Sequence, residues 1–536
     1  MYRIKSVLFS IFFLGSVFIT SEKFVDSSNS PKFYFTIIFL LAVISSIAII
    51  KKQITFETII SNRILWCISG IFILQATYGI CQHIGWFPSN HLNFTLTGSF
   101  DNPAGFAANL AIGFPINLLL LLKVRNIERY FIGAGVLIIA IAVFLSGSRT
   151  GLLAILISSI SFFFIEFKTF RNIQKLKYFK PLSVFILVIS VTGSLLLYRQ
   201  KQQSANGRLL IWKVSCEMIK DEPVFGHGYG AFKAKYMDYQ ADYFKNHPNS
   251  KFALLADNVK HPFNEYIKIA VEFGIISLVT IVSLIMFLLW KIVKTKNQNR
   301  GLIFSGLVSL FLFAFFSYPL QYIAVWLLLS FYLLNAFPLK EIRLKNTPFS
   351  IFTRVVVVVI STFALLHFNL QMQTEIKWKI IAENSLYGKT QEMLPKYKLL
   401  YSTPLKQNPF FLYNYGAELN IAEKYGESIN ILKECESKFN DYDLQILLAD
   451  NYYNIGSIDK ATQTYVYASN MIPCRFLPIY QLFEIYRKTG QKDMAVKWAI
   501  EIVNKKVKIP SLTINSIKAE AEKYLKENEI TFGNTW

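Results

Sequence analysis

An all-α chain is expected, a polytopic membrane bundle followed by a water-facing helical domain, and three observations point to it. Hydrophobic residues make up 53% of the 536 and aromatic residues 16%, while charged residues reach only 17%, well outside the balance of a soluble globular protein. The mean hydropathy is +0.37. Beyond Trp378 the long apolar runs give way to Leu, Ile, Tyr and Ala alternating with Lys, Glu, Asp and Asn at helical spacing.

A span requires about 20 predominantly apolar residues. Candidates lie near 6–20, 33–50, 64–82, 104–122, 130–146, 152–167, 182–198, 263–290, 301–317, 319–337 and 355–370, about eleven in all. The first follows Arg3 and Lys5 like a secretory signal, but no small-residue cleavage site succeeds it, so it reads as a retained anchor. This gives a membrane domain over 1–370, with its long polar loop at 199–262, and a second domain over 371–536.

Alternate loops differ sharply in Lys and Arg. One set carries Arg3 and Lys5; Lys51, Lys52 and Arg63; Lys123, Arg125 and Arg129; five cations between Lys168 and Lys180; Lys291 to Arg300; and Lys340 to Arg354. The positive-inside rule puts these in the cytoplasm. The other set holds Lys23 and Lys32, no Lys or Arg from Gly85 through Pro103, then Arg149, then none around Ser317 to Pro319. With an odd number of spans the tail lies outside with that second set. The net charge of +22 is therefore largely a topological signal, and no nucleic-acid partner is needed to account for it.

The outer loop departs from that logic. Between Arg199 and Pro262 ten Lys or Arg face six Asp or Glu, an excess of about four positive charges where orientation does not require them. Asn206-Gly207-Arg208 precedes Leu209, Trp212, Cys216 and Ile219 at three- and four-residue steps, the pattern of an amphipathic helix on the membrane surface. With Asn206 as N-cap, Arg208 falls in the first turn, where its guanidinium and the unpaired N–H groups converge on an anion. Arg149 is the sole cation of the turn Leu145 to Gly151, and arginine holds phosphate oxygens as a planar fork. His261 stands before Pro262, which suits a first helical position and leaves the imidazole outside the span as a proton acceptor. Glu265, one turn into the re-entering chain, is positioned to orient it. His227 lies in the glycine turn Gly226 to Gly230, which lacks the strand a dinucleotide site requires. Tyr229, Tyr236, Tyr239, Tyr243 and Trp212 suit sugar stacking or an interfacial belt equally.

The five cysteines, Cys67, Cys81, Cys216, Cys435 and Cys474, include no Cys-x-x-Cys pair or metal spacing. A Cys435–Cys474 bridge is chemically open in an oxidising compartment. Asp441-Tyr442-Asp443 reads as a helix start rather than a metal pair, and no metal or cofactor is expected. In the tail, Gly456-Ser457-Ile458-Asp459-Lys460-Ala461 recurs 34 residues later as Gly490-Gln491-Lys492-Asp493-Met494-Ala495, with a weaker copy near Tyr425-Gly426-Glu427. This resembles the tetratricopeptide repeat and implies a helical-repeat solenoid over roughly 400–505 that binds a protein partner or packs on the membrane domain.

Gly98-Ser99-Phe100-Asp101-Asn102-Pro103, Ser148-Arg149, Gly207-Arg208 through Trp212, Pro223 to Gly228, and Asn264-Glu265-Tyr266 with Glu272-Phe273-Gly274 together resemble, over roughly 60–340, the O-antigen ligase and polymerase superfamily. The resemblance implies a metal-independent, inverting membrane glycosyltransferase that takes glycan from undecaprenyl diphosphate at the periplasmic face of the bacterial inner membrane. It further implies that Arg208 and Arg149 hold the diphosphate and that a histidine activates the acceptor, with Asn102, Asn264 and Glu265 in support. Phe263 occupies the place where the family often has that histidine, and His261 lies two residues upstream. Three acceptors compete: lipid A-core, as in a ligase and placed first; another lipid-linked repeat, as in a polymerase; and a protein hydroxyl, as in an O-oligosaccharyltransferase. A polysaccharide transporter is the alternative of another class, disfavoured by the scarcity of ionisable residues within the spans.

Overall fold

A computed structural model describes residues 2–49, 62–166, 184, 188, 202–295, 297–337 and 348–528. Every regular element among them is helical, as expected. The helices run α1 Tyr2–Phe18, α2 Asn29–Ile49, α3 Asn62–His83, α4 Pro103–Lys123, α5 Asn126–Leu145, α6 Arg149–Ile165, α7 Gln202–Asp221, α8 Ala231–Asn246, α9 Glu265–Lys294, α10 Arg300–Phe316, α11 Ile323–Ala336 and α12 Pro348–Asn384. In the tail follow α13 Thr390–Tyr401, α14 Pro409–Ile421, α15 Tyr425–Glu436, α16 Tyr442–Asn454, α17 Ile458–Met471, α18 Leu477–Lys488, α19 Lys492–Asn504 and α20 Leu512–Glu527. Among the described residues α2, α3, α4, α5, α9 and the segment 351–401 are long and apolar enough to cross a membrane, and Phe9–Phe18, α6, α10 and α11 are shorter apolar helices. The span expected at 182–198 lies outside the described residues but for 184 and 188.

Two compact units emerge, and they do not divide at residue 370. The first comprises 1–201, 263–266 and 279–379; the second joins 202–262 and 267–278 to 380–536. The polar loop thus belongs structurally with the tail.

In the first unit α4 is the central helix, buried along nearly its whole length and packed against α3, α5, α6 and α10. Its start follows from Asn102-Pro103: the Asn102 carboxamide accepts the N–H groups of Ala104 at 2.8 Å and Gly105 at 3.1 Å, and proline at the first position lacks the donor that would go unpaired. Lipid tails are as apolar as leucine, so close packing and interhelical hydrogen bonds hold such a bundle together. Phe72, Phe106, Phe114, Phe162 and Phe313 are fully buried. Tyr332 donates to Ile112 O at 2.7 Å, Ser309 to Ala111 O at 2.9 Å and Ser69 to Asn117 Oδ1 at 2.7 Å.

In the second unit each tail helix packs on the next in chain order. The 34-residue recurrence has a structural counterpart: Gly456 and Gly490 take φ of 78° and 73° two residues past the ends of α16 and α18, a backbone that glycine adopts without strain. Ala461 and Ala495, five residues on, are fully buried where the next helix crosses. The equivalent turn after α14 falls at Glu423, with φ of 60°, whereas Gly426, expected to mark the weaker copy, lies inside α15. Cys435 and Cys474 are free thiols, so the bridge is not formed. Asp441 caps α16 by accepting Leu444 N–H at 2.9 Å, which bears out the helix-start reading.

The loop is seated on this tail by polar contacts. α8 packs on α17; Gln240 donates to Met471 O at 2.7 Å, and the Asp238 carboxylate accepts from the Tyr467 hydroxyl and from Asn440 Nδ2. Asn258 donates to Asp443 at 2.8 Å and accepts Tyr442 N–H at 3.0 Å. Lys260 lies over the rings of Phe410 and Phe439, 4.9 and 5.6 Å from their centroids.

Candidate functional site

Arg208 and His261 belong to the second unit, and Arg149, Asn102, Asn264 and Glu265 to the first. α7 starts at or before Gln202, so Asn206 is not its N-cap and Arg208 sits inside the helix, away from unpaired N–H groups. The buried stripe is Leu210, Ile211, Val214 and Met218, while Leu209 and Cys216 are exposed; the expected face was one position out of register. Packing against α8 and the 253–255 turn selects that face. Trp212, one turn after Arg208 and on the same side of the helix, donates its indole N–H to Pro262 O at 2.9 Å. That bond ties the Arg208 helix to the segment carrying His261.

Pro262 does not open a helix. Pro262 lies outside any helix, Phe263 adopts φ of 54°, and α9 begins at Glu265, capped by Asn264, whose Oδ1 accepts Tyr266 N–H at 2.9 Å. The cap residue is needed there because the first N–H groups of a helix have no partners within it. Glu265 is buried and accepts Leu320 N–H at 3.2 Å, tethering the start of α9 to the 319–321 turn.

His261 is held down to about 3 by burial and by Lys233, Lys268 and Lys260. Its ring is therefore neutral at physiological pH, free of the positive charge that would forbid it a proton. Burial beside Lys268 and Lys260 also lowers Lys233. Three lysines converging on one imidazole were not foreseen from sequence. Lys233 and Lys260 were counted in the loop's excess charge, but Lys268 falls within the apolar stretch read as a span. A cation three residues after Glu265, on the same helical face, was the available signal.

The motifs at Pro223–Gly228 and Glu272–Gly274 prove to be two halves of one clasp. Gly274 breaks α9 with φ of 79° and ψ of 175°, and the freed backbone pairs with the loop: His227 N–H donates to Val271 O at 2.9 Å, Gly228 N–H to Glu272 O at 2.9 Å, and Ile275 N–H to Pro223 O at 2.8 Å. A Cβ on Gly274 would stand 2.0 Å from Val224 O, and one on Gly226 2.6 Å from Gly274 N, so both glycines are required by close approach as well as by φ. The Glu272 carboxylate accepts the N–H groups of Gly230 and Phe232 at the start of α8. His227 bonds Met218 O through Nε2 at 2.8 Å and meets Tyr239 edge-on, which makes it a structural tie.

In the first unit Arg149, not Arg208, is the arginine at a helix start. Ser148 caps α6 by accepting Gly151 N–H at 3.1 Å, and partly exposed Arg149 is its first residue. The helix-start position expected of Arg208 is thus occupied by Arg149. Asn102, besides capping α4, donates to the Tyr322 hydroxyl at 2.8 Å.

Residues 134–282, from α5 through the broken α9, match the family model described as O-antigen ligase. A Rickettsia felis protein described as a polysaccharide ligase is 28% identical over 177 residues, 29% of this chain and 42% of that protein. A second from Rickettsia conorii, described likewise, is 26% identical over 186 residues, 30% of this chain and 43% of its own length. The matched part thus spans less than half of each relative. Ordered motifs, the helical fold and these likenesses support a relation to the O-antigen ligase superfamily, carried by residues 134–282.

Proposed function

We propose that this protein is a polysaccharide ligase that transfers glycan from undecaprenyl diphosphate to an acceptor hydroxyl, lipid A-core before a protein hydroxyl or a second lipid-linked repeat, at the periplasmic face of the inner membrane. The observation that carries the reading is a neutral imidazole set among Lys233, Lys260 and Lys268, on a segment bonded to the helix of Arg208. His261 takes the proton of the acceptor hydroxyl as the oxygen attacks the anomeric carbon from the face opposite the diphosphate. The new glycosidic bond forms as the bond to the diphosphate breaks, with inversion. Charge developing on the departing diphosphate is met by Arg208, acting as a fork, and by the lysines of the same unit. An anionic donor among those lysines offsets their effect on His261 and raises its affinity for the proton when substrate is bound. Asn264 and Glu265 fix the start of α9, and Asn102 that of α4. The scheme uses no metal or cofactor. The tail, read as a tetratricopeptide-like domain, keeps the loop in place.

Reconstitution with lipid-linked donor and acceptor tests the reading. Arg208→Ala and His261→Ala each abolish transfer while the protein still inserts, and Arg208→Lys is impaired because a point charge replaces a fork. Full transfer by both alanine variants refutes it.

A further inference from the structure

A cavity of about 450 Å³ opens in the first unit, bounded by the start of α2, the 319–326 segment and α12. Its size lies within the roughly 300–1,000 Å³ of small-molecule sites. Two ionisable side chains line it while almost removed from solvent: Lys32 is 2% exposed and Glu375 8%. The Lys32 ammonium donates to Ser99 O and lies 4.5 Å from the Phe100 ring centroid. Glu375 accepts the Ser30 hydroxyl at 2.7 Å on one oxygen and the Tyr34 hydroxyl at 2.9 Å on the other. An ammonium has three donors and a carboxylate about four acceptor positions, so both groups keep capacity for a ligand. Trp326, exposed, and Gln371, partly exposed, also line it.

Tyr322, which also lines the cavity, receives the hydrogen bond from Asn102, so the cavity adjoins the Gly98–Pro103 motif. We infer that it is a glycan subsite, holding a sugar ring of the chain being transferred or of its acceptor; this rests on the proposed function. The exposed Trp326 ring suits the apolar face of a pyranose, and a carboxylate, an ammonium and the Gln371 amide suit its hydroxyls. A lipid phosphate fits less well, because Glu375 presents a carboxylate there and Asp101 and Asp26 lie within electrostatic reach of Lys32.

The test measures binding by purified full-length protein in nanodiscs of lipid-free oligosaccharides, released by mild acid from the host's lipid-linked donor and, separately, from its glycolipid acceptor. Saturable binding of either supports the inference and identifies which glycan is held. Trp326→Ala, at an exposed position, and Gln371→Ala, at a partly exposed one, each weaken it roughly tenfold, with folding checked by thermal melting. Arg208→Ala, expected to lose transfer, binds the oligosaccharide as wild type does. No oligosaccharide binding, unchanged binding in both rim variants, or displacement by inorganic phosphate overturns the subsite. A transfer-defective Arg208→Ala together with absent oligosaccharide binding refutes the subsite alone; transfer-competent Arg208→Ala and His261→Ala refute the proposed function whatever the binding result.

Discussion

Substituting Gly274 by alanine attacks the clasp between α9 and the loop at its closest point. Its φ of 79° and ψ of 175° lie in a region restricted to glycine, where another residue costs about 1–3 kcal/mol. The added methyl would also meet backbone, Val224 O at 2.0 Å and Val224 C at 2.3 Å, which cannot rotate aside as a side chain does. Relief means parting the 223–228 segment from α9, at the expense of the bonds at Ile275, His227 and Gly228, each worth about 0.5–1.5 kcal/mol net. With strain added and one or two of these bonds lost, the variant is destabilised by roughly 2–6 kcal/mol. For a unit of this size that is a fall of roughly 5–20 degrees in apparent melting temperature. The assay is thermal unfolding of purified protein in one detergent, followed by intrinsic fluorescence, with two internal controls. Gly228→Ala, with φ of 96° and nothing within 4 Å of the new Cβ, suffers strain alone, about 1–3 kcal/mol. Gly207→Ala, inside α7 with open space around it, gains up to about 1 kcal/mol of helix propensity. The expected order of melting is Gly207→Ala, wild type, Gly228→Ala, Gly274→Ala. A Gly274→Ala protein that melts with wild type, or above Gly228→Ala, refutes the argument.

Acid should loosen the second unit through His261. Its folded value of about 3 lies below the ordinary 6.5, so the unfolded chain binds the extra proton between those limits; the contribution is fully present above pH 6.5 and is lost as pH falls toward 3. Melting between pH 7 and 4.5 should therefore be less pH-dependent in His261→Gln than in wild type, and equal slopes would show that the ring is not held neutral. Deleting 380–536 should abolish transfer rather than spare it, since it uncovers Tyr236 and Gln240, both fully buried, and removes Phe410 and Phe439 from Lys260. Undiminished transfer by the inserted, truncated protein would show that the loop keeps its shape without the tail.

Composition and period were enough to determine an all-helical chain with apolar spanning helices and a polar tail, because burial in lipid and burial of one helical face leave different residue patterns. Asn102-Pro103 stood out as part of a family-like motif and Arg149 as the sole cation of a turn; that Asn102 and Ser148 cap α4 and α6 is local chemistry that the structure adds. What the sequence left undecided depends on partners distant in the chain. The register of α7 is chosen by α8 and the 253–255 turn, so Leu210 and Met218 are buried where Leu209 and Cys216 were expected. Pro223 to Gly228 and Glu272 to Gly274 are ordinary glycine-containing stretches until a broken helix pairs them through backbone atoms, which carry no side-chain signature. Lys268 acts on His261 only when α9 and the loop fold together, and Lys32 and Glu375 come to line one cavity across a separation of more than three hundred residues. Asp238, Asn258 and Lys260 look like solvated charges or amides in the sequence, and only the tail that receives them makes loop and tail one body. Tertiary structure decided these points because a hydrogen bond or a close approach is fixed by distance in space, and single-sequence patterns record only distance along the chain.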